Sequence, residues 1–181
     1  MSMKKSLFTT RNLCVAAIIA AFYAALTFIT PWDVHGPVQL RVSEALTILP
    51  IFNVAAIPGL FVGVLISNLI GGYGGLFGMF DMIFGSLATL LAAISTYYIS
   101  RKLDLSNAKS FGHKILIFLA AMFPPIIFNA VIVGWYLYIF DIYPFAVYLT
   151  MMAVGAGQII ACYGLGGILY FSLKKSKIIL K

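Results

Sequence analysis

Apolar residues run along this chain in long blocks. Residues 13–30, 79–100, 115–140 and 144–173 are each almost unbroken apolar stretches. A helix needs about 20 such residues to cross a bilayer core of roughly 30 Å, so each block predicts a membrane span. A fifth block, residues 42–71, is interrupted by Pro50, Asn53 and Pro58. Proline lacks an N–H and starts or kinks helices. The block therefore reads either as one long span or as two short helices broken near Asn53–Pro58.

The basic residues separate these two counts. Of the twelve Lys and Arg, all but Arg41 fall into three groups: Lys4, Lys5 and Arg11; Arg101, Lys102, Lys109 and Lys114; Lys174, Lys175, Lys177 and Lys181. With one span over 42–71, the loop 101–114 and the C-terminal tail lie opposite the N-terminus. With two, all three groups face the cytoplasm, as the positive-inside rule demands. The expected fold is therefore an all-α integral membrane protein, a compact bundle of six transmembrane helices with both termini cytoplasmic. The spans are about 11–30, 42–53, 57–71, 79–100, 114–139 and 144–173, in one domain over residues 1–181. Spans two and three are short, so they are kinked or embedded among longer helices. Asp33, Glu44, Asp81 and Asp141 fall at or near the outer face. Residues 13–30 are too long for a signal-peptide core and lack a clear cleavage site. There is no internal repeat.

Composition agrees. Hydrophobic residues make up 62% of the chain and charged residues 9%, against about 25% charged in soluble domains. The net charge of +7 does not point to nucleic acid, because the basic residues flank apolar spans as anchors do. Cys14 and Cys162 lie in apolar runs and give no disulfide or metal framework. No metal or cofactor is expected.

Arg41 stands outside this pattern, on the outer side. On the six-span topology, Ser43, Glu44, Asn68, Asp81, Ser86, Thr89, Trp135, Tyr136, Tyr148 and Thr150 lie in the outer half, with Asn129 and Gln158 near mid-span. Ionisable side chains cost about 2.5–3.5 kcal/mol each at the bilayer centre and are kept where they line a cavity or pair. An outward-open pocket of solute size explains them together. Structural alternatives stand beside it. Arg41 and Glu44, three residues apart, pair at a helix start; Asp81 complements a helix N-terminus; Asn129 and Gln158 bond neighbouring helices. The tryptophans and tyrosines form interfacial belts. Gly71-Gly72-Tyr73-Gly74-Gly75 is either a flexible outer turn or a lid. His35 and His113 fall on opposite sides, so no histidine dyad forms. No metalloprotease, nucleophile-elbow or Walker A sequence occurs, so uphill transport would need an ion gradient or a partner. No carboxylate is expected buried near mid-membrane, which disfavours a stand-alone ion-coupled transporter. In span one, Ala16/Ala20 and Ala17/Ala21 form overlapping small-xxx-small pairs, and Ala25 extends the stripe. Such spacing admits a close helix, from a partner or from the bundle itself.

Several stretches carry a family resemblance. They are Gln39-Leu40-Arg41-Val42-Ser43-Glu44-Ala45-Leu46-Thr47-Ile48-Leu49-Pro50, Ala56-Ile57-Pro58-Gly59-Leu60-Phe61, Ser67-Asn68-Leu69-Ile70-Gly71-Gly72 and the run Asp81 to Ala93. With the basic N-terminus and the alanine stripe, they resemble the S components of energy-coupling factor transporters, and within them the QueT family, over about residues 11–173. The resemblance implies a plasma-membrane protein of a prokaryote. It would capture a 7-deazaguanine, such as 7-aminomethyl-7-deazaguanine or queuine, and deliver it inward by toppling in the membrane. It implies a membrane T component, facing Ala16, Ala17, Ala20 and Ala21, and two cytosolic ATPase subunits. The first outer loop and spans four to six would form the pocket. A carboxylate can take the base's two donors side by side, and an aminomethyl cation favours Glu44 or Asp81. Asn129 and Gln158 could supply both donor and acceptor to the base. Trp32, Phe84 or Trp135 could stack on the ring. Asn68 and Ser86 complete the expected lining. Arg41 either approaches the base carbonyl or holds Glu44.

Overall fold

A computed structural model of the chain describes residues 9–30, 40–71, 75–103, 110–142 and 145–175, and every regular element among them is helical. Six helices follow in order: α1 Thr10–Ile29, α2 Val42–Ile51, α3 Ala56–Gly71, α4 Gly75–Lys102, α5 Phe111–Ile139 and α6 Val147–Lys174. α1, α4, α5 and α6 are each long and apolar enough to cross a membrane. α2 and α3, of 10 and 16 residues, are shorter. The element boundaries lie close to those expected. The break in the fifth apolar block also falls where expected: Asn53 Oδ1 accepts the Ala55 N–H at 2.8 Å and turns the chain. Trp32, Asp33, His35, Gln39 and residues 72–74 of the glycine segment lie outside the described residues. Gly71 ends α3, and Gly75 opens α4 at a φ of 75° that glycine adopts freely.

α2 is wound as a 3₁₀ helix throughout. At about 2.0 Å rise per residue it reaches roughly 20 Å, where an α-helix of the same length would reach about 15 Å. It is also the central element, touching each of the other five helices. Ser43, Glu44, Ala45, Thr47, Ile48, Pro50 and Ile51 are all buried on it. At one end of the bundle Ile48, Ile51 and Phe52 pack with Phe118, Met122, Cys162 and Tyr170. At the other, Val133, Tyr136, Leu137 and Val154 form a smaller cluster with Phe77 and Phe84.

α1 and α3 meet most closely. A Cβ at Gly59 would lie 2.8 Å from the Ala16 carbonyl oxygen, and one at Gly63 would lie 2.8 Å from Tyr23 Cβ and 3.2 Å from Ala20 Cα. The Gly59/Gly63 pair thus receives Ala16 and Ala20, the close approach that small residues permit. The alanine stripe therefore divides by burial. Ala16 and Ala20 are buried inside the bundle, whereas Ala17, Ala21 and Ala25 are exposed on the other side of α1. Large apolar side chains are exposed elsewhere on the surface, among them Ile18, Phe22, Phe123, Met152 and Ile168.

α5 contains Pro124 and Pro125. Pro125 cannot donate to the Ala121 carbonyl, and Thr96 Oγ1 of α4 donates to it instead at 2.7 Å. Each of the three C-terminal helices carries a π-wound stretch: Asp81–Gly85 in α4, Asn129–Val133 in α5 and Ile160–Leu165 in α6. None was anticipated from the sequence. The basic ends of α5 and α6 lie together, since Tyr170 Oη donates to the Lys114 carbonyl and Lys174 Nζ donates to Tyr170 Oη, both at 3.3 Å. His113 is exposed at that end of α5.

Candidate functional site

The polar groups inside the bundle form two linked centres, one around Asp81 and one around Glu44. Arg41 is the N-cap of α2 and has extended backbone, so its side chain departs before the helix begins. It reaches α4, where its guanidinium lies 3.5 Å from Asp81 Oδ1, with the two side chains only 15% and 8% exposed. The same oxygen accepts the Tyr136 hydroxyl of α5 at 2.5 Å. The Asp81 main-chain carbonyl accepts Asn68 Nδ2 of α3 at 2.8 Å. Asp81 therefore ties together four helices. Gly85, one turn on, leaves room for this: a Cβ there would lie 3.0 Å from Asn68 Nδ2 and 3.3 Å from Asp81 Oδ1.

Glu44 is 1% exposed. Tyr23 of α1 donates its hydroxyl to Oε1 at 2.5 Å. The other oxygen, Oε2, is buried and has no hydrogen-bond partner. The Glu44 main-chain carbonyl accepts Thr47 Oγ1 at 2.6 Å. Cys162 Sγ lies 3.9 Å from that carbonyl and 3.5 Å from Gln158 Oε1, which links α6 to the centre. Above Glu44, Thr27 Oγ1 donates to Ser43 Oγ at 2.9 Å.

The sequence-assigned residues divide accordingly. Arg41, Asn68 and Asp81 converge directly. Arg41 pairs with Asp81, however, and makes no ion pair with Glu44, which corrects the expected Arg41–Glu44 clamp. Asn129 is buried, and its amide nitrogen donates to the Pro125 carbonyl at 3.0 Å. Its π stretch packs against that of Asp81. Gln158 joins through Cys162. Ser86 is buried, but its hydroxyl is directed along its own helix to the Met82 carbonyl at 2.5 Å. Trp135 is 46% exposed and faces away from the cluster; its neighbour Tyr136 occupies the inner position. Phe84 stacks on Phe80, with ring centroids 5.2 Å apart. Trp32 lies outside the described residues.

Tyr23, Thr47 and Cys162 were not assigned to the site from sequence, and Tyr136 was placed only among the polar residues of the outer half. A signal existed for the first. Tyr23 follows Ala16 by two helical turns, so a helix that buries Ala16 and Ala20 also buries Tyr23. Tyr136 follows Asn129 at the same interval. Among the described residues, no group of three His, Cys, Asp or Glu could hold a metal.

Such an arrangement defines a class: an apolar helical membrane protein that encloses a charged and hydrogen-bonding centre, as solute-handling membrane proteins do. The chain matches the family described as QueT transporter over residues 13–175. It belongs to that family, which bears out the resemblance carried by the motifs around Arg41 and Asp81. Over 91 residues it is 37% identical to the Queuosine precursor transporter QueT of Lactococcus lactis subsp. cremoris (strain MG1363), covering 49% of this chain and 50% of that protein. The chain thus aligns with about half the length of that curated relative. No solved structure matches it.

Proposed function

We propose that this protein is the solute-binding S component of an energy-coupling factor importer. It captures a queuosine precursor, a 7-deazaguanine such as 7-aminomethyl-7-deazaguanine or queuine, from outside the cell. The observation that carries this reading is the polar centre buried in an apolar bundle, where Arg41, Asp81, Asn68, Glu44 and Tyr23 meet from four helices. A 7-deazaguanine offers N–H and amino donors that match carboxylates, and a carbonyl that matches an arginine or an amide. In this reading all six helices lie in the membrane, and the end bearing Arg101, Lys102, Lys114 and Lys174 faces the cytoplasm with both termini. ATP is hydrolysed by two cytosolic partner subunits. The membrane T component docks on the outward face of α1, where Ala17, Ala21 and Ala25 are exposed at helical spacing. The test is equilibrium binding of 7-aminomethyl-7-deazaguanine and queuine to the purified protein, with riboflavin, thiamine and biotin as comparisons. Binding of a vitamin while neither deazaguanine binds would refute the substrate assignment.

One observation favours a second reading. Glu44 is a fully buried carboxylate on the central helix, and ionisable groups inside membrane helices mark ion and proton paths in carriers. Uptake by proteoliposomes holding this chain alone, abolished by collapse of the proton or sodium gradient, would establish that reading instead.

A further inference from the structure

The two buried carboxylates are not equivalent. Asp81 is the better engaged: Arg41 and Tyr136 both meet Oδ1, and Asn68 holds its main-chain carbonyl. Glu44 has one neutral donor, Tyr23, on Oε1, and nothing on Oε2. Thr47 and Cys162 lie near Glu44 but are turned to its main chain. Among the described residues, Glu44 and Asp81 are the buried carboxylates, and no lysine or arginine is buried with them apart from the mostly enclosed Arg41. One cation therefore serves two carboxylates, and geometry commits it to Asp81. An ionised carboxylate left without a partner in such a place is costly, and a buried acceptor without a donor costs about 1–3 kcal/mol even when neutral. Both deficits are met by one group: a ligand's charged N–H donor placed at Oε2.

We propose that Glu44 Oε2 is the specificity-determining acceptor for a cationic group of the solute, and that Asp81 is a framework residue that holds the helices around it. The solute class is then a base carrying a protonated amine, in preference to a neutral base of the same ring. Tyr23 orients the carboxylate by fixing Oε1, which leaves Oε2 directed at the solute. This inference takes its probes from the deazaguanine reading.

The experiment uses the detergent-purified full chain and two ligands that share one ring. 7-Aminomethyl-7-deazaguanine is cationic at neutral pH, and 7-cyano-7-deazaguanine is not. Equilibrium dialysis should show that the wild type prefers the amine. Glu44→Gln should weaken amine binding by roughly 30-fold or more, the effect of truncating one partner of a buried charged pair. Binding of the nitrile should stay within about threefold. Asp81→Asn should weaken both alike, because it loosens the frame and not the contact. Equal loss of both ligands in Glu44→Gln, or retention of both, overturns the proposal. If neither ring binds the wild type, the deazaguanine reading has failed, and ligand-free melting decides the role of Glu44. Glu44→Gln should then melt at or above the wild type, since it removes an uncompensated buried charge, while Asp81→Asn should melt lower. Glu44→Gln melting as low as Asp81→Asn assigns Glu44 to the frame and overturns the inference.

Discussion

The Arg41–Asp81 pair makes a quantitative prediction. At 3.5 Å, two unit charges attract by about 5 kcal/mol at an effective dielectric of 20, before desolvation is subtracted. Exposed pairs retain only about 0.2–1 kcal/mol of such attraction. These side chains are 15% and 8% exposed, so the loss of either partner strands the other in a mostly dry interior, a change that costs about 3–5 kcal/mol. Arg41→Met and Asp81→Asn should each destabilise the fold by about 3 kcal/mol, the low end of that range, because Arg41 keeps some contact with solvent. The double variant should cost less than their sum by about 2 kcal/mol, since it strands no charge. The assay is a double-mutant cycle read by unfolding in mixed micelles. The parallel cycle of Arg41→Met with Glu44→Gln should give a smaller coupling, because no ion pair joins them. Additive costs for Arg41 and Asp81, or a stronger coupling of Arg41 to Glu44, would refute the assignment.

Three other outcomes are expected. Gly59→Leu should abolish folding, because even a Cβ there meets the Ala16 backbone; Ala17→Leu, on the exposed side of α1, should fold and, under the proposed docking of a T component, lose only that association, as co-purification would show. Thr96→Val removes the donor that satisfies the Ala121 carbonyl and should cost about 1–3 kcal/mol in the same unfolding assay. Deletion of Gly164, whose side faces open space, takes one residue out of the wide π winding, which can close to regular α winding and leave the rest of α6 in register. Tyr170 should then stay buried and the variant should unfold close to the wild type, whereas deletion of the exposed Met152 in the regular winding before it should turn the rest of α6 by about 100° and cost about 3–5 kcal/mol; equal costs for the two deletions would contradict the role given to the π stretch.

The helices were legible because apolar block length and the break at Asn53 are local signals. The partnership of Arg41 was not. The expected Arg41–Glu44 pairing presumes that both residues lie on one helix face, but Arg41 precedes α2 with extended backbone. A residue in that position follows the tertiary fold, and Asp81, remote in sequence, is what the fold brings near. The division of the alanine stripe was hidden for a related reason. Ala16/Ala20 and Ala17/Ala21 are equivalent as spacing, and only the Gly59/Gly63 pair on α3 decides which of them is covered. Those glycines stand in the sequence at the same interval of four, so the complementary stripe was present to be matched. Trp135 and Tyr136 show the limit at single-residue scale: adjacent aromatics on a helix differ by about 100° in direction, and their types do not say which one faces in.

The interval of four recurs in a way that connects the backbone to the site. On α6 the buried residues include Thr150, Val154, Gln158, Cys162, Gly166 and Tyr170, and on α5 they include Ile117, Ala121, Pro125, Asn129, Val133 and Leu137. An α-helix turns about 100° per residue, so each step of four overshoots a full turn by about 40°, and five steps overshoot by about 200°. A regular helix would carry the far end of either stripe to the opposite face. The stretches Asn129–Val133 and Ile160–Leu165 fall within these runs, and their wider i→i+5 winding turns less per residue and takes back part of the drift. Asp81–Gly85 does the same at the start of the stripe Asp81, Gly85, Thr89 and Ala93 on α4. Each π stretch thus lies beside a polar residue of the centre — Asp81, Asn129 or the Gln158/Cys162 pair — and helps keep that residue turned toward the core while the apolar stripe beyond it stays packed. The irregular winding is therefore a condition for a polar site inside three long apolar helices, and a stripe of buried residues stepping by four is the form in which the sequence records it.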